Sequence, residues 1–203
     1  MDINGENNYT RLCGVLAGAP RFSHSSRGQE FWGFPLEVLR LSGNADTVNV
    51  LARKELLDSL DLDTADKLCV SGQLRSFNNR RGEGAKLVIS VYARELFFCR
   101  EEDSNLVTLS GTLCKAPNLR STPMGRDICD LMLAVNRRCG RSDYLPCICW
   151  GLKAREAAGW SVGTKLHLQG RIQSRNYIKL TEEGPVEKTA FEVSVTEAEE
   201  IKV

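Results

Sequence analysis

The chain has 203 residues, of which 42% are hydrophobic and 26% charged, and a formal net charge of +1, which is typical of a soluble globular protein. No apolar run approaches the roughly 18 residues of a membrane span, and the polar start MDINGENNYT predicts a cytoplasmic protein without a signal peptide. This length suits one large domain or two small ones.

The sequence contains an internal repeat. When the chain is shifted by 97 residues, or by 98 after one insertion, residues of the first half fall on identical residues of the second half. Glycine and proline mark turns and bends, so their matching spacing predicts two copies of one domain, at 1–100 and 105–203, with a charged linker near 97–105. The matched pairs include Gly14 and Gly111, Pro20 and Pro117, Gly28 and Gly125, Leu36 and Leu133, Arg40 and Arg137, Gly43 and Gly140, Asp46 and Asp143, Gly72 and Gly170, and Ser76 and Ser174.

Each copy is predicted to be a β domain with one short helix. In the second copy, strands are predicted over 106–113, 128–136, 143–150, 164–180 and 190–201, with a helix over 152–160 and a bend of the long strand at Gly170. The first copy follows the same order, with KELLDSL (54–60) as its helix. This order predicts an all-β protein of two tandem OB-folds, each a five-stranded Greek-key barrel with a helix between strands three and four. An SH3-like barrel is the alternative, and the helix disfavours it.

Two strands of the second copy have clearly different faces, because side chains alternate along a strand. The predicted inward residues are Leu145, Cys147 and Cys149 on one strand and Leu166, Leu168, Gly170, Ile172 and Ser174 on the other. The predicted outward residues are Tyr144, Pro146, Ile148 and Trp150, and His167, Gln169, Arg171, Gln173, Arg175 and Tyr177.

Outward aromatic and basic side chains indicate binding of single-stranded nucleic acid. Bases stack on aromatic rings for about 1–3 kcal/mol each, and Arg and Lys neutralise phosphates. Residues 109–181 hold twelve basic against four acidic side chains, whereas 182–203 hold two against seven, so the net charge hides a basic block. No helix suited to the major groove is predicted, which disfavours duplex recognition. Packing under loops or in a subunit contact is the alternative role for the three aromatics; Trp32 and Trp160 are expected to pack.

The eight cysteines form no C-x-x-C pair, and the two histidines complete no zinc spacing, so we predict no metal site. The cysteines are expected to be reduced and buried as small hydrophobes, with a redox role as the alternative. The sequence has no nucleophile elbow, phosphate loop or carboxylate pair at an interpretable spacing, so neither an enzyme nor a cofactor is predicted.

Four motifs of the second copy resemble the bacterial single-stranded DNA-binding proteins: LSGTLCKAPNLRSTPMGRD, LMLAVNRR, DYLPCICWG and GRIQSRNY. The resemblance covers about residues 105–178. It implies sequence-tolerant binding of single-stranded DNA in replication, recombination or repair, with Tyr144, Trp150 and Tyr177 as stacking positions. The residues predicted to contact DNA are Tyr144, Trp150, Tyr177, Arg120, Arg137, Arg138, Arg171, Arg175 and Lys179 in the second copy, and Arg53, Arg75, Phe77, Arg80 and Arg81 in the first.

The sequence also departs from that family. Cys139 stands where some members have a further stacking tryptophan, and the ending TEAEEIKV lacks the acidic-hydrophobic tip that docks replication and repair proteins. In the first copy Thr47 and Arg53 replace the aromatics of Tyr144 and Trp150, so this copy is predicted to bind weakly or to serve in assembly.

Two further functions remain open. One is a replication-restart or mobile-element accessory that binds single-stranded DNA and a replication protein. The other is an interaction module that does not bind nucleic acid. The tandem arrangement resembles family members that carry two barrels per chain and dimerise, which implies a homodimer by analogy.

Overall fold

The computed structural model describes residues 6–79, 87–181 and 184–202. They form two compact units. The first unit comprises Tyr9–Arg75 and Ser90–Val107, and the second comprises the described parts of Met1–Asn8, Ser76–Ile89 and Thr108–Val203. The end of one hairpin of the first copy thus groups with the second unit. The boundaries 1–100 and 105–203 remain a prediction about independently folding domains.

The two copies contain the same elements in the same order. The first has β1 (Asn8–Leu16), β2 (Arg21–Ser26), β3 (Gln29–Leu39), β4 (Ala45–Arg53), α1 (Lys54–Asp58), β5 (Lys67–Asn78) and β6 (Leu87–Phe98). The second has β7 (Ser104–Leu113), β8 (Asn118–Ser121), β9 (Asp127–Asn136), β10 (Ser142–Trp150), α2 (Leu152–Ala157), β11 (Lys165–Thr181) and β12 (Gly184–Glu200). Neither helix is long and apolar enough to cross a membrane.

Strand pairing confirms the OB-fold in both copies. The first has the order β2-β3-β4-β6-β5-β1, and the second has β7-β11-β12-β10-β9-β8. Additional pairings of β1 with β3 and of β7 with β9 close each set into a barrel of five strands. The β4–β6 and β10–β12 pairs are parallel, as expected where a helix-containing segment lies between the paired strands.

The short strands β2 and β8 were not predicted. Each pairs with the next strand in a hairpin that protrudes from its barrel, and every side chain of both strands is exposed. A strand without a buried face lacks the alternation of apolar and polar residues by which sequence analysis finds strands.

The repeated glycines Gly72 and Gly170 allow two barrel strands to approach closely. A Cβ atom on Gly72 would lie 2.1 Å from the Tyr92 carbonyl oxygen, and one on Gly170 would lie 2.3 Å from that of Ser194. The strand pairing shifts by one residue at Gln169/Gly170, which confirms the predicted bend of the long strand. Only a residue without a side chain fits at such a crossing.

An Arg–Asp pair is also repeated. Arg40 binds Asp46 through two guanidinium nitrogens, and Arg137 binds Asp143 in the same way. Both carboxylates are 0% exposed, so each buried charge depends on its arginine. The matching of these residues in the sequence therefore reflects one interaction built twice.

The inward face of the second copy agrees with the prediction. Leu145, Cys147 and Cys149 are buried, as are Leu166 and Leu168 among the long-strand residues. Burial raises the pKa of the Cys149 thiol to about 12 and raises that of Cys147 further, so both remain protonated at neutral pH. These cysteines behave as the small hydrophobes that were expected.

The expectation of reduced cysteines throughout is wrong for one pair. Cys13 and Cys69 form a disulfide between β1 and β5, where the antiparallel register places them directly opposite each other. The pairing follows from a register between residues 56 apart in the sequence, which cysteine spacing does not reveal. Cys99, Cys114, Cys129, Cys139, Cys147 and Cys149 are free thiols.

The strand crossing at Gly72 gives a stability prediction. We expect Gly72→Ala to lower the free energy of unfolding by about 2 kcal/mol or more, because the methyl group must displace a backbone carbonyl. Gly33→Ala is the matched control in the same unit, since its Cβ would meet Val50 oxygen at an ordinary 3.7 Å; we expect a change within about 1 kcal/mol. Urea unfolding followed by circular dichroism measures both, and equal effects would contradict the close crossing.

Candidate nucleic-acid interface

The side chains on one side of five strands in the second unit form one face, which we call the outer face. Five of its members are buried, including Ile148 and Gln173, which were predicted to point outward; the others are Ile128, Glu192 and Ser194. Trp150 on β10 lies opposite Ile128 on β9, and Ile128 lies opposite Arg120 on β8. On the other side of β10, Ile148 pairs with Ser194 on β12, and Ser194 pairs with Arg171 on β11. Partners in adjacent strands point to the same side of a sheet. The outer face comprises Arg120, Ile128, Asp130, Ile148, Trp150, Arg171, Gln173, Arg175, Tyr177, Glu192 and Ser194.

Trp150 is held in a defined orientation on this face. Its indole Nε1–H donates a hydrogen bond to Ser194 Oγ at 3.1 Å, and the Arg126 guanidinium carbon lies 6.0 Å from its ring centroid. The side chain is half-buried. A tryptophan fixed by its polar edge keeps its flat surface available for stacking without losing further rotamer freedom.

Arg126 and Ser194 were not identified from the sequence as residues of the site. Arg126 follows the turn between β8 and β9, where its backbone N–H and carbonyl both bond to Thr122 and Gly125 has a φ of 75°. Ser194 is 44 residues from Trp150 and reaches it only through the parallel β10–β12 pairing. The TPMG turn could have placed Arg126 near the β9 strand; no comparable sequence signal identifies Ser194.

A second aromatic–cation pair lies towards the far end of β11. The Arg175 guanidinium carbon is 6.0 Å from the Tyr177 ring centroid, which is within cation–π range. Arg175 is exposed and Tyr177 half-buried. The buried carboxylate of Glu192 lies beside them, 4.0 Å from Arg175 Nε, and accepts a hydrogen bond from Gln173 at 2.8 Å. Glu192 therefore holds Gln173 in place, and its carboxylate makes this part of the outer face less positive.

Tyr144 lies at the opposite end of β10 from Trp150, about 20 Å away along the strand. It is 50% exposed, and its backbone N–H donates to Ser76 Oγ at 2.8 Å. The Ser76 N–H in turn donates to Asp143 at 2.6 Å. These bonds place the next residue, Phe77, which is 54% exposed, in the same unit as Tyr144. Phe77 was predicted as a contact of the first copy, and the structure groups it with the second.

Arg137, predicted as a DNA contact, lies in a different environment. Its guanidinium is committed to the buried Asp143 and also donates to the Ser76 carbonyl at 3.1 Å. Its role as a DNA contact stays a prediction. Such a contact would have to form with Arg137 still bound to Asp143, because moving the arginine would leave a buried carboxylate without its partner.

The remaining predicted basic residues differ in their partners and in their exposure. Arg120 binds Asp130 through two hydrogen bonds, at 2.6 and 3.0 Å, which raise the pKa of its guanidinium. Arg138 is exposed, and the buried Nε of Arg171 has no hydrogen-bond partner among the described residues. Lys179 belongs to β11, but its side chain lies outside the described part of the structure. Arg80 and Arg81 lie outside the described residues altogether.

The first unit carries a different set of side chains on its equivalent face. Arg53 occupies the position of Trp150 and lies opposite Phe31, as Trp150 lies opposite Ile128. His24 stacks on Phe31 with ring centroids 4.9 Å apart, and Tyr92 lies 6.0 Å away on the other side. Arg75 is half-buried and donates to Gln73. The matching of the two copies in the sequence did not reveal this aromatic cluster, because its rings do not lie at the positions that correspond to Tyr144, Trp150 and Tyr177.

Comparison with known proteins agrees with this architecture. The model of the single-strand binding protein family matches residues 104–201. Among curated relatives, single-stranded DNA-binding protein 2 of Listeria innocua is 39% identical over 80 residues, covering 36% of this chain and 50% of the relative. Single-stranded DNA-binding protein A of Bacillus subtilis is 38% identical over 80 residues, covering 36% and 46%. This chain spans about half the length of the curated relatives that it matches.

A solved structure matches both copies. The wild-type single-stranded DNA binding protein from Thermus aquaticus superposes with a TM-score of 0.78, covering 97% of this chain and 93% of that chain at 22% sequence identity. At this identity the likeness establishes the tandem fold alone. The family match and the Listeria and Bacillus relatives show that the second copy of this chain, residues 104–201, is similar to the single-strand binding protein family.

Proposed function

We propose that this protein binds single-stranded DNA with little sequence preference through the outer face of the second unit. The observation that carries the proposal is the fixed indole of Trp150, which is bonded to Ser194 and lies beneath Arg126, with Arg171 opposite Ser194 on the neighbouring strand. The names and sequences of the curated relatives support the same ligand.

Aromatic side chains bind the bases by stacking, and basic side chains bind the phosphates. Trp150, Tyr144 and Tyr177 offer rings to three bases, and every base has a flat face, so stacking selects against paired bases rather than for a sequence. Arg171 and Arg175 supply charge for the phosphates between those rings, together with Arg138 and Lys179. A duplex hides its base faces within the stack, so the same surface binds it far less well.

Arg126 has a particular place in this mechanism. In the free protein its guanidinium lies over the Trp150 ring, where an incoming base would stack. Binding therefore moves Arg126 off the ring or sandwiches the base between the two side chains. In either case the guanidinium stays near the phosphate of that nucleotide, so the cation–π contact is exchanged for a charge contact.

The first unit makes a weaker, auxiliary contribution in this proposal. Arg53 and Arg75 offer charge, while the His24, Phe31 and Tyr92 cluster offers apolar surface. Phe31 is largely buried, so it supports the exposed His24 ring rather than receiving a base itself.

The proposed role is protection and organisation of exposed strands in the cytoplasm during replication, recombination or repair. It needs no catalytic step, in keeping with relatives whose names describe binding proteins. A homodimer and a replication or repair protein as partner remain predictions from the family resemblance.

The stacking platform is tested by tryptophan fluorescence with oligo-deoxythymidine. We expect DNA to quench the wild-type emission, and Trp150→Phe to lose most of that quenching. Trp150→Ala should weaken binding by about 5- to 150-fold, which corresponds to the roughly 1–3 kcal/mol of one stacked base. A matched duplex should bind more weakly than the single strand.

Trp160→Phe is the matched control, since Trp160 lies in the segment between α2 and β11 and belongs to none of the strands of the outer face. It should leave both quenching and affinity close to those of the wild type. Quenching that disappears with Trp160 and persists without Trp150 would place the DNA elsewhere and overturn the proposed surface.

The phosphate contacts give a salt prediction. The logarithm of affinity should fall linearly with the logarithm of salt concentration, with a slope of about −0.7 for each neutralised phosphate. Arg175→Ala should make that slope shallower by about 0.7. Lys153→Ala, on α2 and paired with Glu156, is the charge-matched control and should leave the slope unchanged; equal changes in both variants would refute a specific contact at Arg175.

A further inference from the structure

Three cysteines of the first unit bring their sulfur atoms together. Cys13 on β1 and Cys69 on β5 lie directly opposite each other, and Cys99 follows the end of β6, where its N–H donates to the Lys67 carbonyl at 3.0 Å. Because β6, β5 and β1 are neighbouring strands, each supplies one thiol to the same place. All three Sγ atoms lie within 4.8 Å of one another.

The fold itself does not require sulfur at this place. By the repeat, Cys13 corresponds to Ser110 and Cys69 to His167, and these two residues are joined by a hydrogen bond of 2.8 Å between Ser110 Oγ and His167 Nδ1. Cys99 corresponds to Ile201, whose N–H donates to the Lys165 carbonyl. The second copy therefore fills the same positions without any thiol, so the cysteine triplet is specific to the first.

Positive side chains surround the sulfur cluster. Arg11 Nη2 lies 3.8 Å from Cys69 Sγ and pairs with Glu101 at 2.6 Å, while Lys67 pairs with Asp103 at 2.6 Å. The ion pairs tie the segment after Cys99 to β1 and β5. Both cations are therefore held close to the place where a metal ion with thiolate ligands would bring negative charge.

We propose that Cys13, Cys69 and Cys99 form a site that binds zinc once the Cys13–Cys69 disulfide is reduced. A dithiol reductant supplies two electrons and two protons; the S–S bond breaks, two thiols form and the reductant becomes a disulfide. Zn²⁺ then displaces the protons of three thiols into solvent and forms three Zn–S bonds, and a water molecule completes the tetrahedron.

Geometry and charge are suitable for this ion. Zn–S bonds of about 2.3 Å in a tetrahedron place sulfur atoms roughly 3.8 Å apart. Cys99 Sγ already lies within 4.8 Å of the other two, and the Cys13 and Cys69 sulfurs must move apart once their S–S bond is broken. Zn²⁺ with three thiolates carries one negative charge, which Arg11 and Lys67 offset. Cys13 and Cys69 are buried, whereas the half-buried Cys99 gives the ion a route from solvent. In the reverse reaction a small disulfide accepts two electrons from Cys13 and Cys69 and becomes a dithiol, the S–S bond re-forms and the metal is released, so the redox state controls metal binding.

The test uses the full chain, reduced with a phosphine and desalted without oxygen, with Co²⁺ as a spectroscopic substitute for Zn²⁺. We expect one Co²⁺ per chain, a thiolate-to-cobalt charge-transfer band, the strong visible bands of tetrahedral cobalt, and displacement by Zn²⁺. The oxidised chain should show none of these signals. Because the readout is metal binding in the absence of DNA, it is independent of the proposed function.

Cys99→Ser is the decisive variant, because it keeps the Cys13–Cys69 disulfide available and so preserves the oxidised fold. It should weaken Zn²⁺ binding by at least about tenfold, since losing even a supporting group around a metal costs 10- to 100-fold. Cys139→Ser, at an exposed cysteine of the second copy, should bind as the wild type does. Absence of the charge-transfer band in the reduced wild type, or equal affinity in Cys99→Ser, would overturn the proposal.

Discussion

The buried ion pair between Arg137 and Asp143 is the contact on which the second unit depends. Asp143 is fully buried at the start of β10, and removing its arginine would leave an uncompensated charge that costs about 3–5 kcal/mol. The same arginine begins the turn between β9 and β10, through its N–H bond to the Arg141 carbonyl. The carboxylate also accepts the Ser76 N–H. One interaction therefore fixes a turn, the start of a strand and the segment that carries Phe77.

This arrangement explains how a rigid barrel presents an adaptable ligand surface. The inner faces of the strands are packed with leucine and cysteine, while the outer face carries rings and charges whose positions follow from strand register. Trp150 is oriented by the hydrogen bond that its indole N–H donates to Ser194, and Gln173 is held by the hydrogen bond that it donates to Glu192. Because these side chains are ordered before binding, less entropy is lost when a strand of DNA arrives. The remaining freedom lies in Arg126, which is attached to a hairpin turn.

The sequence predicts the fold better than it predicts the site, and the reason is physical. Alternation along one strand shows which side chains are buried, so the inward set of Leu145, Cys147 and Cys149 was correctly predicted. Repeated glycines mark strand crossings, so the tandem barrel and the bend at Gly170 could also be predicted from the sequence. A contact between strands depends on register, however, and the Trp150–Ser194 bond and the Cys13–Cys69 disulfide join residues 44 and 56 apart. The ion pair of Arg137 with Asp143, which lies on the next strand, was not predicted for the same reason.

The two copies show how one backbone supports different chemistry at equivalent positions. Both retain the Arg–Asp pair and the glycine crossing, since losing either disturbs the barrel itself. On the outer strand faces, Trp150 corresponds to Arg53. At a second pair of positions, the Ser110–His167 hydrogen bond corresponds to the buried Cys13–Cys69 disulfide. Divergence between the copies therefore affects both outward positions, where the second copy has a stacking ring, and a buried cross-strand pair, where the first has a disulfide.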